Sequence, residues 1–111
     1  MSNIIRMKKI SELDKLEHYL KQHKYKYDRI DELSDKRWCQ RHQIIVYYPN
    51  GERAWDAICQ YGSYGFEKGL LEIYGDIVDE EIDCDSVAGY LTANDVIRRL
   101  EHQRNEEVTE S

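Results

Sequence analysis

Leu13, Leu16 and Leu20 recur at i, i+3 and i+7 behind Ser11, and that spacing predicts a helix with one apolar face. Ser11-x-x-Asp14 is a capping pattern for its first turn. Glu17 and Lys21 stand i,i+4 on the solvent side, and His23-Lys24 brings positive charge to the negative end of the helix. The period then shortens. Tyr25–Ile30 (YKYDRI) is rich in β-formers and roughly alternating, so it predicts a strand. Residues 31–40 form a polar connection containing Trp38 and Cys39. Two more strands, Gln43–Tyr48 and Glu52–Gln60, flank Asn50-Gly51, which reads as a two-residue type I′ turn with positive φ at both positions. That turn sets a register: Tyr48 faces Arg53, Val46 faces Trp55, Ile44 faces Ala57, and His42 faces Cys59.

Tyr61-Gly62-Ser63-Tyr64-Gly65 is a loop. After it, Leu70, Leu71, Tyr74, Ile77 and Val78 fit one face of a helix, and a helix is expected over 66–78. Gly69 and Gly75 interrupt that pattern, and Leu70–Tyr74 alone also fits a strand. Residues 79–86 (DEEIDCDS) are an acidic connection. Thr92-x-x-Asp95 is a capping box for a last helix, with Leu91 placed to staple onto Val96 and with Val96, Ile97 and Leu100 as its apolar face. The expected fold is α+β. It has an antiparallel sheet of three strands, or four, and about three helices packed on one face. Residues 1–10 form a loosely ordered lead-in, 11–102 a single domain, and 103–111 a frayed polar tail.

Composition agrees with one folded domain: 111 residues, 41% hydrophobic and 34% charged. No apolar run reaches the roughly 18 residues of a membrane helix, and the N-terminus lacks the apolar block of a signal peptide. A cytoplasmic protein without membrane contact is expected. Net charge is −6 despite sixteen Lys and Arg, which disfavours direct nucleic-acid binding and favours a basic protein partner. Nine tyrosines provide amphipathic contact residues. A monomer or small homo-oligomer fits this length.

Three cysteines, an odd number, argue against a disulfide framework and leave free thiols or metal ligands. Cys39-x-x-His42 has the spacing of a zinc knuckle, and the hairpin register brings Cys59 opposite His42. Cys84 would complete a Cys₃His set, which as a closed site would hold a structural zinc. The simpler reading is that Cys59 packs as a small hydrophobe on its strand. His18, His23 and His102 read as solvated residues on helix surfaces.

Asp76, Asp79, Glu80, Glu81, Asp83 and Asp85 place six carboxylates in ten residues. A calcium loop is excluded by the missing central glycine and terminal glutamate. The run reads either as a solvated connection or as a surface that imitates DNA phosphates for a basic groove. Tyr61, Tyr64 and Phe66 in the glycine-rich loop read as a contact patch or as the lid of a small core. Catalytic signals are poor, so no enzyme is expected: Ser63 lacks a G-x-S-x-G elbow, and a Cys59–His42 nucleophile pair is the single conceivable arrangement.

The blocks HQIIVYYPNGERAWDAICQYGSYGFEKGLLEIYG and VAGYLTANDVIRRL resemble small proteins encoded by phages and prophages of Gram-positive bacteria. SYG, GLLEIYG and GYLTA are the most specific pieces, and the likeness spans residues 13 to about 101. The Cys-x-x-His entry is not a feature of that group. The resemblance implies an accessory protein with no activity common to its relatives. Small acidic members of such sets resemble inhibitors of host defence, the anti-CRISPR proteins against type II-A Cas9 above all. It would act by occluding a nucleic-acid channel or locking a mobile domain. The other readings are a small-ligand-binding phage protein and a Cys/His-dependent enzyme.

Overall fold

Ser11 and Asp14 cap the first helix reciprocally. Asp14 N–H donates to Ser11 Oγ at 3.1 Å, and Ser11 N–H donates to Asp14 Oδ2 at 3.2 Å. The computed structural model describes residues 10–79 and 87–110, without the side chains of 37 and 106–110. In it, α1 (Glu12–Gln22) precedes β1 (Lys26–Glu32), β2 (Arg41–Tyr47), β3 (Arg53–Ile58), β4 (Leu71–Gly75) and β5 (Val87–Leu91), and α2 (Ala93–Glu110) follows. Short 3₁₀ turns occupy Arg37–Cys39 and Phe66–Lys68.

The five strands form one antiparallel sheet in chain order, and two α-helices accompany it. This corrects the expectation of three strands, or four, with about three helices. The segment expected as a helix over 66–78 is a 3₁₀ turn followed by β4. Gly69 and Gly75 adopt left-handed backbone, at φ +71° and +114°, and end the turn and the strand respectively. Between them Leu71 and Ile73 are fully buried while Glu72 and Tyr74 point the other way, a period of two. β5 was not expected at all. It pairs Ala88 with Ile73 and Val87 with Tyr74.

The central hairpin exists, but its turn differs. Gly51 N–H donates to Tyr48 O and Tyr48 N–H to Glu52 O, both at 2.8 Å, and of Asn50 and Gly51 only Gly51 has positive φ (+93°). This is a type I turn over Pro49-Asn50 followed by a left-handed glycine. Proline explains the change. A two-residue loop would need Pro49 to donate the closing hydrogen bond, and proline has no N–H. Tyr47 therefore pairs with Arg53 in place of Tyr48. The register then shifts once more between Tyr47 and Val46, so the two departures cancel. Val46 faces Trp55 and Ile44 faces Ala57, as expected.

One face of the sheet carries the core. Ile44, Val46, Trp55, Ala57, Leu71, Ile73 and Ala88 pack with Leu13, Leu16 and Leu20 of α1 and with Val96 and Leu100 of α2. Thr92 and Asp95 cap α2 reciprocally, at 2.9 and 3.1 Å. The helix continues through 103–110, where a polar tail was expected. On the opposite face Gln43, 7% exposed, donates to Asp56 Oδ2 at 2.7 Å and accepts from Arg41. Burial pushes the Asp56 carboxyl up, against the Gln43 hydrogen bond and the charges of Arg53 and Arg41. No helix among the described residues is long and apolar enough to cross a membrane.

Candidate functional site

His42 lies near the start of β2 and Cys59 just beyond the end of β3, and their backbones meet: Cys59 N–H donates to His42 O at 3.1 Å. The expected adjacency is therefore present. What the sequence did not supply is the third partner. Asp31 stands opposite His42 in β1, and its Oδ1 lies 2.8 Å from His42 Nδ1. Asp31 also meets Arg29, whose Nε is 3.1 Å from Asp31 Oδ2. Arg29 continues to Asp14 at 3.1 Å and to Glu17 at 3.2 Å, and Glu17 accepts from Tyr27 Oη at 2.8 Å. Tyr27, Arg29 and Asp31 alternate along β1, so all three face α1. Burial, and then the bond to Glu17, push the Tyr27 hydroxyl up to about 12. Glu17 is thus drawn into this network and not into the expected pair with Lys21. The alternation Tyr-x-Arg-x-Asp was the available signal, and an expected strand ending at Ile30 cut it short.

Around this network lies a cleft of about 810 Å³, lined among others by Glu12, Arg29, Leu33, His42, Cys59 and Phe66. Cys59 is half-buried against the core. Burial pushes its thiol up and the negative charge of Glu12 pushes it further, the opposite of what a thiolate nucleophile or ligand needs. Cys39 is exposed at the end of its 3₁₀ turn, with its N–H on Lys36 O at 2.9 Å. Among the described residues no group of three His, Cys, Asp or Glu side chains is placed to hold a metal. Cys39, His42 and Cys59 therefore do not assemble a zinc site by themselves. Cys84, the fourth expected ligand, lies outside the described residues.

The aromatic loop gathers more than its own residues. Tyr61, Tyr64 and Phe66 line a hollow of about 390 Å³ together with Tyr90 from β5. Tyr61 and Phe66 meet edge to face at 6.2 Å. The loop is braced on its neighbours: Tyr64 N–H donates to Glu72 Oε1 at 2.8 Å, and Tyr90 N–H donates to Tyr64 O at 3.2 Å. Gly89 lies under the Tyr64 side chain so closely that no Cβ fits there. Sequence reasoning missed Tyr90 because it missed β5.

Of the acidic run, Asp76 and Asp79 are described and both are exposed. Asp76 is held in place by its N–H, which donates to Ala54 O at 2.9 Å, and its carboxylate raises the pKa of the Tyr48 hydroxyl. Glu80, Glu81, Asp83 and Asp85 lie outside the described residues. Compared with protein-family models, with curated proteins and with solved structures, the chain finds no match in any of the three.

Proposed function

We propose that this chain is a phage or mobile-element accessory protein that works by binding another protein in the bacterial cytoplasm. The observation that carries this reading is the aromatic hollow. Tyr61, Tyr64 and Tyr90 are 55%, 57% and 60% exposed, yet the backbones of Tyr64 and Tyr90 are hydrogen-bonded to each other. Rigid, exposed tyrosines are the anchors that protein interfaces favour. A net charge of −6 supports a basic, nucleic-acid-binding partner over nucleic acid itself. The resemblance to phage and prophage proteins makes Cas9 the first such partner to test, with occlusion of guide or DNA loading as the mechanism.

The test is binding of the chain to Cas9 with and without guide RNA. Binding to guide-free Cas9 that is lost on guide loading supports occlusion. Binding to both forms moves the action to a later step, and binding to neither removes Cas9 as the partner. Tyr64→Ala with Tyr90→Ala is expected to weaken capture at least tenfold. Reversing the charges of Asp79, Glu80, Glu81, Asp83 and Asp85 tests the phosphate-mimic part separately. Unchanged binding after that reversal takes the acidic run out of the interface.

One observation favours a second reading, a small-ligand protein. The 810 Å³ cleft carries Ile10 and Leu33 at its edge, 62% and 79% exposed. Thermal-shift screening of apolar fragments, with Leu33→Ser as control, tests it.

A further inference from the structure

We propose that the hollow between Tyr61, Tyr64, Phe66 and Tyr90 receives an arginine side chain presented by the partner protein. The inference rests on the protein-binding reading above and names the chemistry of its contact. Four aromatic residues line one hollow of about 390 Å³, with Glu67 and Lys68 as its charged neighbours. Aromatic faces are negative and attract cations, guanidinium more often than ammonium because it is planar and stacks.

The backbone of the loop offers the hollow little. Of the residues that line it, Ser63, Tyr64, Phe66, Lys68 and Tyr90 spend their N–H groups within the chain. More than half of the amides that could cradle a phosphate are therefore used, and Lys68 is the one cation among the lining residues, so the rings carry the recognition. Net charge points the same way, since an acidic chain attracts a basic partner.

Tyr90 gives an independent sign. It is a bulky residue at φ +58°, a backbone state that such residues rarely adopt. It stands in a β-bulge, where Gly89 and Tyr90 of β5 oppose the single residue Glu72 of β4, and it is 60% exposed. A bulge of this kind re-aims a side chain out of the regular alternation of its strand, and such bulges gather next to functional sites. Gly65 and Gly89 support this placement. A Cβ on Gly65 would fall 3.1 Å from Tyr90 Cα, and one on Gly89 would collide with Tyr64.

The probes are N-acetyl-arginine methylamide and its neutral counterpart N-acetyl-citrulline methylamide, followed on the ring signals of the four aromatics by NMR. The arginine amide is expected to shift those signals saturably, and the citrulline amide to bind at least fivefold more weakly. Tyr64→Ala and Tyr90→Ala should each lose at least fivefold, while Tyr90→Phe, which keeps the ring, retains binding. Lys68→Ala removes the chain's own competing cation and should tighten it. Equal response to both amides, shifts centred elsewhere, or stronger binding of choline than of the arginine amide overturns the assignment. The two readings separate cleanly. Loss of Cas9 or other partner capture in the Tyr64/Tyr90 variant without any arginine response leaves a protein interface that uses other chemistry. Arginine binding without capture removes the partner and keeps the site.

Discussion

Glu12 Oε1 accepts the backbone N–H of Ala93 at 2.7 Å, so the first turn of α1 closes the first turn of α2 across 81 residues of chain. That N–H is one of the donors a helix start leaves without an internal partner. Glu12→Ala is expected to lower stability by about 1–2 kcal/mol in urea unfolding, and Glu12→Gln to recover most of it. Burial pushes the Glu12 carboxyl up, but the Ala93 N–H and the Lys15 ammonium outweigh it and the net shift is down. A lowered folded pKa contributes stability that is present above the unfolded value and is lost as pH falls through the folded one. The acid limb of stability should therefore be shallower in Glu12→Gln.

The same carboxylate acts on Cys59. After burial, Glu12 is the second influence holding the Cys59 thiol above its ordinary value. Site-resolved alkylation at pH 8 should label exposed Cys39 well before Cys59. Glu12→Gln should speed labelling of Cys59 severalfold and leave Cys39 unchanged. Faster labelling of Cys59 than of Cys39 in the unaltered chain would contradict the assignment.

Gly75 sits where β4 passes the register shift in β3. A Cβ there would lie 2.6 Å from Ala54 O and 2.8 Å from Trp55 Cα, at φ +114°. Gly75→Ala is expected to cost about 2–4 kcal/mol, strain and clash together. Gly62→Ala, at φ +91° with nothing within 4 Å of its Cβ, should cost only about 1 kcal/mol. Similar thermal shifts for the two variants would deny the clash its part.

Asp56 reverses the usual sign for a carboxylate. Its folded pKa is raised, so between the unfolded and folded values the native state binds more protons and stability falls as pH rises. Asp56→Asn keeps an acceptor for Gln43 and removes the buried charge. The variant should be more stable than the parent at pH 7, with the gap closing as pH is lowered towards 3 in parallel denaturant titrations.

Legibility followed the distance between partners along the chain. Ser11 with Asp14 and Thr92 with Asp95 were readable because each pair is complete within four residues. The His42–Cys59 adjacency was readable from the hairpin, although through a turn that Pro49 does not allow. It survives because a second register shift restores the alignment. Asp31 was not readable as the partner of His42, because that contact needs β1 paired beside β2. Tyr90 was missing from the aromatic group for a similar reason. Val87–Leu91 becomes a strand only when β4 offers it a partner.

The sequence by itself determined both helix starts, the existence of the hairpin and the core positions of Ile44, Val46, Trp55 and Ala57, though not the exposure of Tyr48. Those follow from local hydrogen bonds and from the period of apolar positions. Tertiary structure alone decided that Leu71–Gly75 is a strand and not part of a helix, because its apolar spacing satisfies both periods and only pairing with β3 separates them. It also decided that Glu12 serves α2, that Glu17 serves Arg29, and that four aromatics from a loop and an edge strand share one hollow. Each of those contacts joins groups far apart in the chain, and no local rule records them.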